Sequence, residues 1–140
     1  YKMKTVKAIM FWLLSLTWGA LMTLCGGVVA LVLLVTGHKP KRFHYLIYFE
    51  VGSGWGGFEL GAFFVVNKTP SLHILQHESG HGLQNIMLGV FMPFIVSIPS
   101  CIRYWWREYK IRKGLGNTLP PYDRIWFEGW ATRLGEKHFN

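Results

Sequence analysis

The sequence predicts an α+β fold in which an N-terminal transmembrane helix precedes one small domain. Three observations lead to this prediction. Residues 8–35 carry no charged side chain, residues 43–66 alternate as β-strands do, and residues 72–90 place apolar side chains at helical spacing. We therefore expect residues 1–42 to form a basic flank and a membrane anchor, and residues 43–140 to form the domain.

The predicted anchor is long enough to cross a membrane once. It has 28 residues without a charge, and a bilayer core of about 30 Å needs about 20 apolar residues. A cleaved signal peptide is the alternative, but its apolar region is about 7–15 residues long. Three basic residues flank the segment on each side, so charge does not set its orientation. They are Lys2, Lys4 and Lys7, then Lys39, Lys41 and Arg42.

Residues 43–66 are predicted to form a β-hairpin. Apolar and other side chains alternate over 43–51, the glycine-rich stretch 52–57 interrupts them, and 58–66 resumes the pattern. An alternation with a period of two is typical of β-strands. We expect two strands joined by a long glycine-rich loop.

The next helix carries an H-E-x-x-H motif made of His77, Glu78 and His81. Side chains four residues apart lie on one face of a helix, about 5–6 Å from each other. Both imidazoles can therefore reach one zinc ion at about 2.0–2.1 Å. Glu78 lies beside that face, where it can work on a metal-activated water instead of binding the metal. A core helix with hydrogen-bonded histidines is the less favoured alternative.

Capping and periodicity set the bounds of this helix. Thr69 reads as the N-cap and Pro70 as the first helical residue. One stripe is apolar and is expected to be buried; it contains Leu72, Leu75, Leu83, Ile86 and Val90. A polar stripe forms the working edge; it contains His73, His77, His81 and Gln84. His73 lies about 12 Å along the helix from His81, so we expect it to support the site without binding the metal.

A catalytic zinc site needs a third protein ligand and an open position. Glu128 is the candidate, in a helix predicted to open near Tyr122 and Asp123. The H-E-x-x-H motif and the run Glu128-Gly129-Trp130-Ala131 together resemble the gluzincin metallopeptidases, in which a second helix carries a ligand Glu in a similar context. The resemblance covers roughly residues 57–136. The wider string H-E-S-G-H-G-L-Q is also similar to boxes of the form H-E-x-G-H-x-x-Q in small uncharacterised bacterial membrane proteins.

The resemblance implies a zincin-like domain with assigned residues. His77, His81 and Glu128 would bind Zn²⁺, and Glu78 would be the general base. Gly129 and Ala131 would let the two helices approach closely. Zinc peptidases also use a strand beside the metal helix to align an extended substrate, and 58–66 is the natural candidate.

Two assignments stay open at this point. Gluzincins often use a Tyr or a His to stabilise the oxyanion, and no position matches such a motif; the candidates are Tyr104, Tyr122 and His138. Glu128 also has an alternative role as a surface carboxylate near a helix start. In that case the third ligand would come from Asp123, Glu136 or His138.

Residues 86–102 are uncharged but interrupted by Pro93 and Pro99. A second membrane pass, a re-entrant segment and a buried connection remain open, with a partly embedded segment favoured. Basic and aromatic residues then interleave over 103–113, which suits a nucleic-acid surface or a membrane interface. Beside a hydrophobic run the membrane interface is favoured, and we expect no nucleic-acid partner.

Composition supports a membrane protein. The net charge of +8 lies largely in flanks of apolar segments, where it attracts anionic lipid head groups. Cys25 and Cys101 do not make a disulfide framework. We expect the site to lie at or just outside the membrane interface, because a charged side chain at bilayer depth costs at least about 2.5–3.5 kcal/mol.

The sequence therefore favours a membrane-anchored zinc metallopeptidase that acts on a peptide or protein substrate, and the bacterial likeness suggests the cytoplasmic membrane. One alternative is a metal-binding membrane protein without hydrolytic activity. The other is a membrane scaffold in which the motif is coincidental. Metal content separates the scaffold from the other two, and Glu78→Gln separates a peptidase from a structural metal site.

Overall fold

The computed structural model describes residues 2–53 and 55–139, without the side chains of residues 2, 3 and 123. The described part contains five α-helices and a four-stranded sheet, which confirms the α+β class. The helices are α1 (Lys2–Leu16), α2 (Ala20–Val35), α3 (Leu72–Leu88), α4 (Ile98–Arg112) and α5 (Trp126–His138). The strands are β1 (Lys41–Phe43), β2 (Leu46–Glu50), β3 (Gly57–Leu60) and β4 (Phe63–Val66).

The prediction of a single hairpin is wrong, because each alternating stretch folds back on itself. His44 and Gly61 adopt φ of 54° and 70° and reverse the chain in the turns between β1 and β2 and between β3 and β4. Positive φ is the conformation that tight two-residue hairpin turns require. β2 then pairs with β4 in parallel, and the strand order is β1-β2-β4-β3. β3 is therefore an edge strand.

The expectation of one continuous N-terminal span is also wrong. α1 and α2 meet at 94° across residues 17–19. The Thr17 hydroxyl donates to the Leu13 carbonyl at 2.7 Å, a bond that competes with helix continuation. The Asn85 side chain of α3 donates to the Gly19 carbonyl at 3.2 Å, and this hydrogen bond holds the break between α1 and α2 against α3.

Within the described ranges, no single helix has both the length and the apolar character needed to cross a membrane. Two pairs of consecutive helices, each bent at the break between its two members, have this length and apolar character when taken together. One pair is α1 with α2, and the other joins Leu72–Phe91 to Pro93–Arg112 at 115°. Residues 86–102 thus form the end of α3, a short 3₁₀ turn, a π-helical segment and the start of α4.

The main hydrophobic core includes the N-terminal helix. Phe11 of α1 is buried with Leu46, Phe64 and Phe139. The Trp12 indole donates to the Tyr45 carbonyl at 2.8 Å, which ties α1 to the sheet. These contacts place α1, the sheet and the end of α5 around the metal-helix candidate α3.

α3 begins two residues later than predicted and is buried through its middle. Ser71, not Thr69, is the N-cap, and its hydroxyl accepts from the Ile74 N–H at 3.2 Å. Thr69 lies outside the helix with a φ of 54°. Residues 76–85 are buried on every side, so His77, His81 and Gln84 of the polar stripe face protein, whereas His73 is exposed.

Small residues bring α3 and α5 into close contact. A Cβ atom at Gly80 would overlap the carbonyl oxygen of Ala131, and one at Gly135 would overlap that of Gln76. Of the two small residues expected to allow this approach, Ala131 lies in the contact and is fully buried. The short distance between the helix axes brings the side chains of α5 to the polar stripe of α3.

Candidate metal centre

Three buried side chains from α3 and α5 converge on one point. Glu128 Oε1 lies 2.8 Å from His81 Nε2 and 3.3 Å from His77 Nε2. One ligand atom from each of the three residues lies within 4.8 Å of the others. Ligand atoms around a tetrahedral zinc ion stand about 3.3–3.5 Å apart. The three residues are therefore close enough to hold one metal ion after small shifts of their side chains.

The far nitrogen of each imidazole is held by a neighbour. His81 Nδ1 donates to Gln84 Oε1 at 2.7 Å, and His77 Nδ1 lies 2.8 Å from Thr132 Oγ1. Such partners fix the ring orientation and the tautomer of a metal-binding histidine. Both Nε2 atoms consequently face Glu128, which is the arrangement that a shared ion needs.

Glu128 is fully buried in the first turn of α5. Its second oxygen, Oε2, accepts from the Ser100 hydroxyl of α4 at 2.7 Å. Burial alone would raise the pKa of Glu128, but hydrogen bonds from His77, His81 and Ser100 hold it well below its ordinary value. The residue is thus kept as a carboxylate inside the protein and is not a surface group near a helix start.

Glu78 lies on the wall of two cavities that flank this cluster. The larger cavity is about 380 Å³ and also contacts His81, and the smaller one is about 250 Å³ and contacts His77. Both are also lined by Tyr104 and Tyr122. A substrate group in either cavity would therefore meet Glu78 beside the three convergent ligands.

The three candidates for stabilising the oxyanion lie at different distances from the cluster. Tyr122 is close to the cluster, with its ring 6.0 Å from that of His77, and burial raises its pKa well above the ordinary value. The Tyr104 hydroxyl donates to the Trp55 carbonyl at 2.9 Å. His138 lies about 15 Å along α5 from Glu128 and lines neither cavity.

Among the described side chains, neither His73 nor the replacement candidates Glu136 and His138 join the cluster. His73 is exposed, stacks near His77 with ring centroids 6.3 Å apart, and lies outside the group of potential ligands found among the described residues. Glu136 is exposed on α5. The Asp123 side chain lies outside the described part of the structure.

Sequence reasoning missed three residues around the site: Ser100, Thr132 and Glu59. Ser100 and Thr132 contact Glu128 and His77 through single hydroxyls, and no motif marks them. Glu59 of β3 is buried beside Glu78, and burial together with the Glu78 charge raises its pKa well above the ordinary value. The only signal for Glu59 was a carboxylate inside an otherwise apolar strand.

No protein-family model, curated protein sequence or solved structure matches this chain.

Proposed function

We propose that this protein is a membrane-embedded zinc metallopeptidase of gluzincin type. His77, His81 and Glu128 hold the ion, and Glu78 is the general base. The observation that carries the proposal is the convergence of three buried donors on one point, with the Glu78 carboxylate beside them on the wall of two cavities. Two imidazoles and one carboxylate are a donor set that catalytic zinc uses.

The chemistry of the proposed reaction is divided between the ion and the protein. A bound zinc ion supplies a Lewis acid and lowers the pKa of water toward about 7. Glu78 accepts the proton of the attacking water and passes it to the leaving amine. Tyr122 is the better-placed hydroxyl donor for the developing oxyanion, because its ring lies 6.0 Å from that of His77, whereas the Tyr104 hydroxyl donates to the Trp55 carbonyl.

The sheet supplies a strand that could align a peptide. The stretch 58–66, which we expected to align the substrate, contains most of β3 and all of β4. β4 is paired on both sides, whereas β3 has one edge without a partner strand in the described sheet. β3 also lines the larger cavity through Phe58, Glu59 and Leu60. An extended substrate could add to this edge by backbone hydrogen bonds, next to Glu78.

Exposed apolar side chains support the membrane part of the proposal. Large contiguous apolar surfaces mark interactions with lipid or with other proteins. On α2 they include Leu21, Leu24, Val28, Leu31 and Val35. On α4 they include Ile98, Ile102, Trp105, Trp106 and Tyr109. We place these faces in the bilayer and its interface. Because the H-E-S-G-H-G-L-Q string resembles those of small bacterial membrane proteins, the proposed membrane is the bacterial cytoplasmic membrane.

The experiment that tests the proposal compares the wild-type protein with Glu78→Gln. Both are purified in detergent, loaded with zinc and incubated with a peptide library, and new termini are counted by mass spectrometry. We expect cleavage by the wild type and a loss of about 10²–10⁴-fold in rate for Glu78→Gln, with zinc content unchanged. Glu136→Gln makes the same chemical change on the exposed face of α5 and should keep full activity.

Two results would contradict the proposal. Equal cleavage by wild type and Glu78→Gln would remove Glu78 as the base. A folded, zinc-loaded wild type that cleaves no peptide in the library would favour a structural metal site.

A further inference from the structure

The two cavities beside the metal centre differ in the residues at their mouths. The larger cavity lies between α2, β3 and the α4 region, and the apolar part of its wall is formed by buried Met22, Met92 and Val96 with half-buried Leu60. The smaller cavity lies toward the start of α3, where His73 and Ile74 line it together with the glycine-rich stretch after β2. Each cavity reaches one of the two histidine ligands.

The exposed residues that line the larger cavity carry no charge within the described part of the chain. Its exposed lining residues are Phe58 at 40%, Trp105 at 68% and Cys101. Among the described residues, no Lys, Arg or Asp lines the cavity, and its carboxylates and histidine, Glu59, Glu78 and His81, are buried. A polar group would lose hydration on passing this mouth without gaining a partner there.

The surface around that mouth is apolar as well. Leu21 and Leu24 of α2 are exposed next to the cavity residue Met22, and Ile98 and Ile102 of α4 are exposed next to Ser97 and Cys101. The cavity thus lies between α2 and α4, the two helices whose exposed faces the proposed function places in lipid. The smaller cavity has the exposed imidazole of His73 at its edge instead.

From this asymmetry we infer that the larger cavity binds a large apolar side chain of a substrate segment that reaches the metal centre from the bilayer. The smaller cavity is the route for water and for the polar product. This inference rests on the proposed function and specifies its substrate class as a membrane-inserted peptide segment. Burying an apolar chain in the larger cavity contributes about fourfold in affinity for each methylene removed from water.

Hydroxamic acids test this inference without a known substrate, because they bind zinc through one small head group. Acetohydroxamate and octanohydroxamate are titrated against the zinc-loaded full chain in detergent. We expect octanohydroxamate to bind at least about 100-fold more tightly, since several methylenes enter the cavity. Ser97→Phe fills the cavity and should remove at least about 30-fold of that gain, while acetohydroxamate affinity stays within about threefold.

Ile98→Phe is the matched control, because Ile98 follows Ser97, is exposed and does not line the cavity. It should keep the wild-type preference for the longer chain, which separates cavity binding from partition into detergent. Cys101→Trp, at an exposed lining position, replaces Ser97→Phe if the latter binds no zinc.

The outcomes separate this inference from the proposed function. An equal chain-length preference in Ser97→Phe, Ile98→Phe and wild type would overturn the cavity assignment and leave the metal centre standing. Failure of acetohydroxamate to bind the zinc-loaded wild type would overturn the proposed metal centre, and the cavity assignment with it.

Discussion

At the scale of single residues, the proposed metal centre depends on partners that hold its candidate ligands. Gln84 does this twice: its Oε1 accepts from His81 Nδ1 at 2.7 Å, and its Nε2 donates to the Phe127 carbonyl at 2.8 Å. Phe127 immediately precedes Glu128 in the chain. Gln84 therefore orients one ligand and fixes the start of the helix that carries another.

We predict that Gln84→Leu weakens zinc binding by about 10–100-fold, the usual cost of losing a residue that orients a ligand. The reason is that His81 loses its acceptor and α5 loses an anchor beside Glu128. Zinc affinity is measured by competition with a chromophoric chelator.

Gln76→Leu is the control for this prediction, because Gln76 is a buried glutamine of the same helix that donates to the Phe139 carbonyl at 3.3 Å. It should lower thermal stability without a comparable loss of zinc affinity. Equal zinc affinity in both variants and wild type would show that Gln84 only stabilises the fold.

At the scale of secondary-structure elements, the site exists because α3 and α5 approach closely at Gly80 and Ala131. The H-E-x-x-H spacing and the Glu128 context indicated which two helices would meet. The position of Gly80 in the middle of the motif explains how they meet, since any side chain there would push the helices apart.

Gly80→Ala tests this packing. We predict a loss of at least about 1–3 kcal/mol in stability, the range for overpacking a tight contact, and weaker zinc binding because Glu128 moves away from the histidines. Thermal unfolding in detergent and chelator competition measure the two effects.

Gly27→Ala makes the same change in α2, where no heavy atom would lie within 4 Å of the new Cβ. It should be neutral or stabilising by up to about 1 kcal/mol. Similar losses in the two variants would mean that close packing at Gly80 is unimportant.

The sequence predicted the helices and extended stretches better than it predicted the turns and breaks at which the chain changes direction. The ligand helices and the extended stretches follow from periodicity, which records which side chains are buried. The turns at His44 and Gly61 lie inside unbroken alternation, so pattern alone did not reveal them. The break after Thr17 depends on the contact between Gly19 and Asn85, which are far apart in sequence. Ser100 likewise reaches Glu128 only through the tertiary fold.

At the scale of the whole molecule, the proposed arrangement places lipid and water on different sides of one buried site. α1 contributes Phe11 to the core, so the N-terminal helices are part of the structure around the site. α2 and α4 direct apolar side chains outward, while His73 marks the polar cavity.

Cysteine labelling tests this arrangement after the two native cysteines are replaced by serine. We predict that a membrane-impermeant maleimide modifies His73→Cys in opened membrane vesicles but modifies Val28→Cys only after detergent is added. Both positions are exposed in the structure, Val28 at 64%, so burial in protein does not explain a difference. Rapid labelling of both without detergent would place α2 in water.

The central claim is that His77, His81 and Glu128 bind one zinc ion, and zinc content tests it most directly. Wild type, His81→Gln, Glu128→Gln and His73→Gln are purified, equilibrated with zinc and analysed by elemental mass spectrometry, with folding checked by circular dichroism. The account predicts one zinc per chain for wild type and His73→Gln, and none retained after dialysis for the two ligand variants. Zinc bound equally by Glu128→Gln, or its absence from a folded wild type, would contradict it.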